Sequence, residues 1–343
     1  MTVAKKAVVA FLTTLCVLLL TPLAACGGNG GSPSGASGSA SGVASAPAAG
    51  LISVGFSQVS VESDWRIANT ASIKEALCEA NGYQLIFKDA QQKLENQLEA
   101  VREFIAAAVD YIVIAPITET GWDEVLQEAQ AADIPVILVG RMIDVSDDSL
   151  YTCWVGSDFF AEGSKAAKWM EQSLGSGPLN IVHIQGTLGS SAQIGRSAGL
   201  EEGLARNSNW QLVAQGTGDF SETNGRDFME RTLRQNLNIN LIYCENDNMA
   251  FGAMEALDAA RIPYGRSSDI TLVSFDGTRR GLENTLAGRI NLDVECNPLH
   301  GPRVAEIIQQ MEKGLTPIKR SFMTEAAFEA ATITQAQIDG RDY

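Results

Sequence analysis

Basic residues are scarce in this 343-residue chain: 25 Lys and Arg stand against 41 Asp and Glu, for a net charge of −16. Proteins approach phosphate backbones with a basic face, so this balance excludes nucleic-acid binding. Histidine is scarcer still, with only His183 and His300. None of the six cysteines forms a C-x-x-C pair, and the spacing argues against a zinc site. There is no G-x-S-x-G and no metal-spaced triad; Gly186-Thr187-Leu188-Gly189-Ser190-Ser191 lacks the lysine of a phosphate loop. These absences point away from an enzyme and imply no cofactor and no metal. The apolar stretch Ala7–Leu20 runs for 14 residues, short of the roughly 20 that a spanning helix needs.

What is present is a folded body behind an export signal. The chain is 45% apolar and 19% charged, enough to fill a core, and its length suits two lobes. Lys5 and Lys6 followed by Ala7–Leu20 read as a signal peptide over 1–25. Leu23-Ala24-Ala25-Cys26 resembles the lipobox of bacterial lipoproteins, which implies lipidation of Cys26 and a membrane anchor outside the cytoplasm. Over 26–50, Gly, Ser, Ala and Pro fill every position but Cys26, Asn29 and Val43, the composition of a flexible tether.

From Leu51 onward, short β-rich runs alternate with helical patterns. Strands are predicted at 51–57, 83–89, 111–116, 134–140 and 150–156, then at 179–186, 210–217, 240–246, 269–277 and 289–295, with two short ones near 319–331. Helices are predicted at 65–81, 93–108 and 120–132, then at 159–174, 192–206, 221–236, 248–261, 279–287 and 298–313. The fold class is α/β, with parallel sheets covered by helices on both faces. About ten strands exceed one ordinary doubly wound sheet and divide into two.

Ligands of open α/β sheets bind beyond the carboxyl ends of the strands. At those ends the sequence places Glu62, Trp65 and Arg66, then Arg141, then Arg196, Asn246, Asp276 and Glu295. Taken singly these have plain readings: Asn246 as an N-cap, Asp276-Gly277 as a turn, Arg196 as a solvated helix residue. Six such loops on one edge instead suit a sugar, whose ring face stacks on Trp65 and whose hydroxyls pair with carboxylates and arginines.

GFSQV (55–59), ESDWR (62–66), QQKLENQ (91–97), IAP (114–116), GTLGSSA (186–192), END (245–247) and FDG (275–277) make the resemblance specific. Over 51–343 the chain resembles the periplasmic sugar-binding proteins of ABC importers, in the ribose/galactose group and nearest its galactofuranose binders. The resemblance implies two doubly wound lobes, 51–156 plus 296–324 and 157–295 plus 325–343, joined by three hinge crossovers near 156–157, 295–296 and 324–325. It implies a monosaccharide ligand, an ABC permease as partner, a monomer, and delivery by hinge closure; a lipid-anchored sugar receptor feeding a signalling partner is the alternative. Carried over by motif, Glu62, Trp65, Arg66, Gly140 and Arg141 contact the sugar from the first lobe. Arg196, Asn246 and Asp276 close over it from the second, with Phe220 covering the ring and Glu295 as a polar hinge contact. It also suggests a Cys153–Cys296 disulfide. One position departs from the family, which commonly has an aspartate where this chain has Gly140. That departure points to a sugar with a different hydroxyl arrangement or one bearing an acidic group.

Overall fold

A computed structural model of the chain describes residues 50–343. The signal peptide, Cys26 and the tether up to residue 49 lie outside the described residues. No helix among those described is long and apolar enough to cross a membrane.

The first series comprises strands β1 (Ile52–Gln58), β2 (Tyr83–Asp89), β3 (Tyr111–Ile114), β4 (Val136–Val139) and β5 (Cys153–Gly156). They alternate with α1 (Asp64–Ala76), α2 (Leu94–Ala106) and α3 (Asp123–Ala131). The second series is β6 (Leu179–Gln185), β7 (Trp210–Thr217), β8 (Leu241–Cys244), β9 (Thr271–Asp276) and β10 (Leu292–Glu295). Its helices are α4 (Phe159–Ser173), α5 (Ser191–Arg206), α6 (Glu222–Leu233), α7 (Asp247–Ala260) and α8 (Arg279–Leu286). Helix α9 (Gly301–Glu312), strands β11 (Arg320–Phe322) and β12 (Ala327–Glu329) and helix α10 (Gln335–Asp339) complete the chain.

Two six-stranded sheets result, ordered β11-β5-β4-β3-β1-β2 and β12-β10-β9-β8-β6-β7. All pairings are parallel except β10 with β12. In each sheet the chain runs outward once and then returns past its first strand, between β1 and β3 and again between β6 and β8. Each reversal opens a crevice at the strands' carboxyl ends. Both sheets are buried on both faces, as parallel sheets must be. In β3, Tyr111 and Val113 join the cluster that packs beneath α1 and α9, while Ile112 and Ile114 join Phe104, Trp122 and Leu126 on the other side. The second sheet divides likewise, with Ile242 and Leu272 on one side and Tyr243 and Val273 on the other.

Several predicted boundaries move for local reasons. Strand β5 starts at Cys153, because Asp147 caps a short turn over Asp148–Leu150 by accepting from Ser149 N at 2.8 Å. Helix α1 stops at Ala76 rather than 81; Asn81 Nδ2 reaches back to the Glu75 and Ala76 carbonyls at 3.0 and 3.1 Å, and Gly82 turns the chain at φ +88°. Helix α10 has no counterpart among the predicted elements.

Candidate functional site

Polar N-caps put the site's side chains where the helices begin. Ser63 caps α1 by accepting from Arg66 N, Ser190 caps α5 by accepting from Gln193 N, and Asn246 caps α7 by accepting from Met249 N. Each satisfies an otherwise orphaned backbone donor and holds the loop of the preceding strand against the crevice. The plain reading of Asn246 as an N-cap is therefore correct, and the residue still faces the cavity, since its Nδ2 donates to Phe220 O at 3.1 Å.

These loops line a cavity at the carboxyl ends of the strands of both sheets. From the first sheet it is lined by Glu62, Trp65, Arg66, Gly140 and Arg141, and from the second by Arg196, Phe220, Asn246 and Asp276. Nine of the ten residues expected to bind ligand thus meet in one place. Glu295 does not: it turns to the carboxyl-terminal segment, where Oε1 accepts from Tyr343 OH at 2.9 Å and from Arg341 Nη1, and Oε2 accepts from Ala326 N at 2.8 Å. The sequence places Glu295 at a strand end, but a cation from 46 residues further along captures its carboxylate.

The first-sheet wall is a fork of two arginines on one carboxylate. Glu62 Oε1 accepts from Arg66 Nε and Nη2, both at 3.2 Å, and from Arg141 Nη2 at 2.7 Å. Arg141 also reaches Ile117 O at 3.3 Å and stacks over Phe220, 5.0 Å from the ring centre. Burial pulls the Arg141 guanidinium down to about 10; Glu62 counters this, while Arg66 and Arg196 add to it. Trp65 is held edge-on to His300, with Nε1 donating to Cys296 O at 2.6 Å.

The second-sheet wall centres on Arg196. Its Nε donates to Glu162 Oε2 at 2.7 Å, Nη2 to Asp276 Oδ1 at 3.4 Å and Nη1 to Glu245 O. The guanidinium lies over the rings of Phe159 and Phe275, 5.4 and 5.0 Å from their centres. Burial pushes the Asp276 carboxyl well above the usual range, against the pull of Arg196. Asp276 also carries φ +116°, a conformation that costs a non-glycine residue about 1–3 kcal/mol and concentrates at functional sites. Phe220 is similarly held at φ +60° and is pressed over Gly186, where a Cβ would come within 1.9 Å of its Cζ.

Sequence reasoning missed Ser63, Phe159, Ala192 and Cys296 among the lining residues, and Glu162 behind Arg196. Glu162 has no motif of its own; only the packing of α4 on α5 brings it to the guanidinium. The suggested disulfide is absent, and Cys78, Cys153, Cys244 and Cys296 are all free. Cys153 packs in the core of the first sheet, whereas Cys296 joins the second sheet's cluster, with Sγ 3.3 Å from Ser157 Oγ. Both thiols are buried, which pushes Cys153 up to about 11 and Cys296 well above the ordinary value.

The model of the periplasmic binding protein domain matches residues 54–298. The chain is 38% identical over 272 residues to the galactofuranose-binding protein YtfQ of Escherichia coli (strain K12), covering 78% of this chain and 85% of the relative. A solved structure from Mycobacterium smegmatis in complex with β-D-fucofuranose is 40% identical, with a TM-score of 0.78 over 84% of this chain and 93% of that one. The binding component of the arabinose ABC transporter from Shewanella sp. ANA-3, bound to α- and β-L-arabinofuranose, is 39% identical, with a TM-score of 0.79 over 84% and 95%. Two mostly parallel sheets meeting at a polar crevice, together with these matches, show that the chain belongs to the periplasmic binding proteins, in the type I sugar-binding group of ABC importers, whose members bind their solutes and are not enzymes.

Proposed function

We propose that this protein is the extracytoplasmic, lipid-anchored binding component of an ABC importer, a monomer that captures a furanose-form monosaccharide and delivers it to the permease. The observation that carries the reading is the cavity itself, into which both sheets send charged, hydrogen-bonding and aromatic groups. A ligand contacting Glu62, Arg66 and Arg141 on one side and Arg196, Asn246 and Asp276 on the other stabilises the closed arrangement by its contacts to both. The lobes are 51–156 plus 296–324 and 157–295 plus 325–343. Three solved or curated relatives carry galactofuranose, fucofuranose or arabinofuranose in their names, which supports a five-membered ring. The lipobox at Cys26 and the tether behind it support an anchor that leaves the body free to turn toward a membrane partner.

A thermal-shift panel of monosaccharides tests the reading. A ligand at 100 times its Kd stabilises the folded protein by about 2.7 kcal/mol, a shift of a few degrees in Tm for a body of this size. A panel in which no carbohydrate raises Tm sinks the assignment. Anchoring is tested separately: Cys26→Ser is expected to release the protein from the membrane fraction.

A further inference from the structure

Arg66 is the best-buried cation on the first-sheet wall with hydrogen-bonding capacity to spare. It is 3% exposed, its Nε and Nη2 are committed to Glu62, and its Nη1 has no hydrogen-bond partner. A buried charged donor left unpaired is costly, and proteins retain one chiefly where a ligand completes it. The surroundings of that nitrogen show where the completing group sits.

Gly140 lies directly in front of it. A Cβ on Gly140 would fall 3.8 Å from Arg66 Nη1, 3.3 Å from Trp65 Cη2 and 3.7 Å from His300 Cε1. Nε2 of His300, bonded to that carbon, likewise has no partner. The backbone of Gly140 is pinned on its strand side, with N donating to Val155 O at 2.8 Å and O accepting from Trp154 Nε1 at 3.0 Å. Its φ of +70° favours glycine, so position 140 sets no side chain against Arg66. Arg66, which lines the cavity, thus keeps one unpaired donor beside a position that carries no side chain, while His300 is fully buried against Trp65 and does not line the cavity.

The charge count at the corner shows what kind of group completes it. Arg66 and Arg141 share one acceptor, Glu62 Oε1, so the wall carries two cations on one carboxylate. On the facing wall Arg196 is matched by Glu162 and Asp276. The excess of positive charge therefore lies beside Gly140, in a site from which water is largely removed and where an uncompensated charge is expensive. A hydroxyl satisfies the hydrogen bond of Arg66 Nη1 but not its charge; a carboxylate satisfies both, and its two oxygens suit two donors.

We infer that Arg66 and Arg141, beside Gly140, form a carboxylate subsite, and that the physiological ligand is a sugar acid rather than a neutral sugar. This rests on the reading of the cavity as a sugar site and names the class of sugar that fills it. The test is calorimetry on the full mature chain with matched pairs locked in the five-membered ring, methyl D-galactofuranosiduronate against methyl D-galactofuranoside and methyl D-glucofuranosiduronate against methyl D-glucofuranoside. The acids are expected to bind at least ten-fold tighter than their parents. Gly140→Asp, which sets a carboxylate of the protein's own beside Arg66, is expected to reverse that order, whereas Gly140→Asn, of equal size and no charge, weakens both members of a pair alike. Neutral sugars binding as tightly as the acids in the wild-type protein would overturn the inference and leave the sugar site standing. Failure of every sugar and every acid to bind would remove both.

Discussion

Glu325 sits where the chain makes its last crossing between the two sheets, and it makes folding stability depend on pH in a calculable way. Its Oε1 accepts from Asn297 N at 2.8 Å and from Ser157 Oγ, so the residues that follow β5 and β10 both converge on it. Polar atoms of Glu162, Cys296 and Glu325 lie within 4.8 Å of one another. Burial, with Glu162 beside it, raises the Glu325 carboxyl from 4.5 to about 8, while Ser157, Asn297 and Arg196 pull the other way. The folded state therefore keeps a proton that the unfolded chain has already lost. By linkage, the contribution of Glu325 is fully present below about pH 4.5 and is lost progressively as pH rises to about 8. At 1.36 kcal/mol per pH unit that window corresponds to roughly 5 kcal/mol, and the partial solvent access of the side chain reduces it to roughly 2–3 kcal/mol. Glu325→Gln retains the acceptor and replaces the titrating oxygen with a permanent N–H donor. Urea unfolding should then find the variant close to wild type at pH 5 and about 2–3 kcal/mol more stable at pH 8.5. Asp247, raised to about 6 by burial, slopes in the same direction as Glu325, and His300, lowered to about 3 by burial and by Arg66, slopes in the opposite direction. Both are common to the two proteins and cancel in the difference. A difference that does not change with pH would refute the reasoning.

Three further outcomes follow from named contacts. Gly186→Ala drives a methyl into the Phe220 ring, so it should cost about 1–3 kcal/mol by thermal melt and reduce sugar affinity at least ten-fold by calorimetry, because the ring shields the cavity. Asn246→Ala removes the cap of α7 and the tie to Phe220 O, which should lower stability by about 1–2 kcal/mol and weaken binding together. Arg341→Ala leaves the Glu295 carboxylate largely buried without its cation, so denaturant unfolding should show a loss of about 3 kcal/mol. Sugar affinity of the folded Arg341 variant should be unchanged, since Glu295 lies off the cavity; a matching fall in affinity would return Glu295 to the site.

The alternation of apolar runs and helical patterns is a local property of the chain, because a strand buried on both faces must be apolar throughout and an amphipathic helix must repeat near 3.6 residues. It therefore determined the α/β class, the strand count and the loops at the carboxyl ends, including Glu62, Trp65, Arg66, Arg141, Arg196, Asn246 and Asp276. The Asn246 cap was legible for the same reason, since it bonds to a backbone group only three residues away. Tertiary structure alone decided which way each side chain turns once its loop is placed. Glu295 and Asp276 both end neighbouring strands in register, yet one is drawn to Arg341 and the other faces Arg196. Cys153 and Cys296 lie close to predicted crossings, yet each is buried in the core of a different sheet. Glu162 and Arg196, 34 residues apart, become partners only where α4 packs on α5. A side chain's partner depends on distances across the fold, and those arise only when the two sheets have assembled around the cavity.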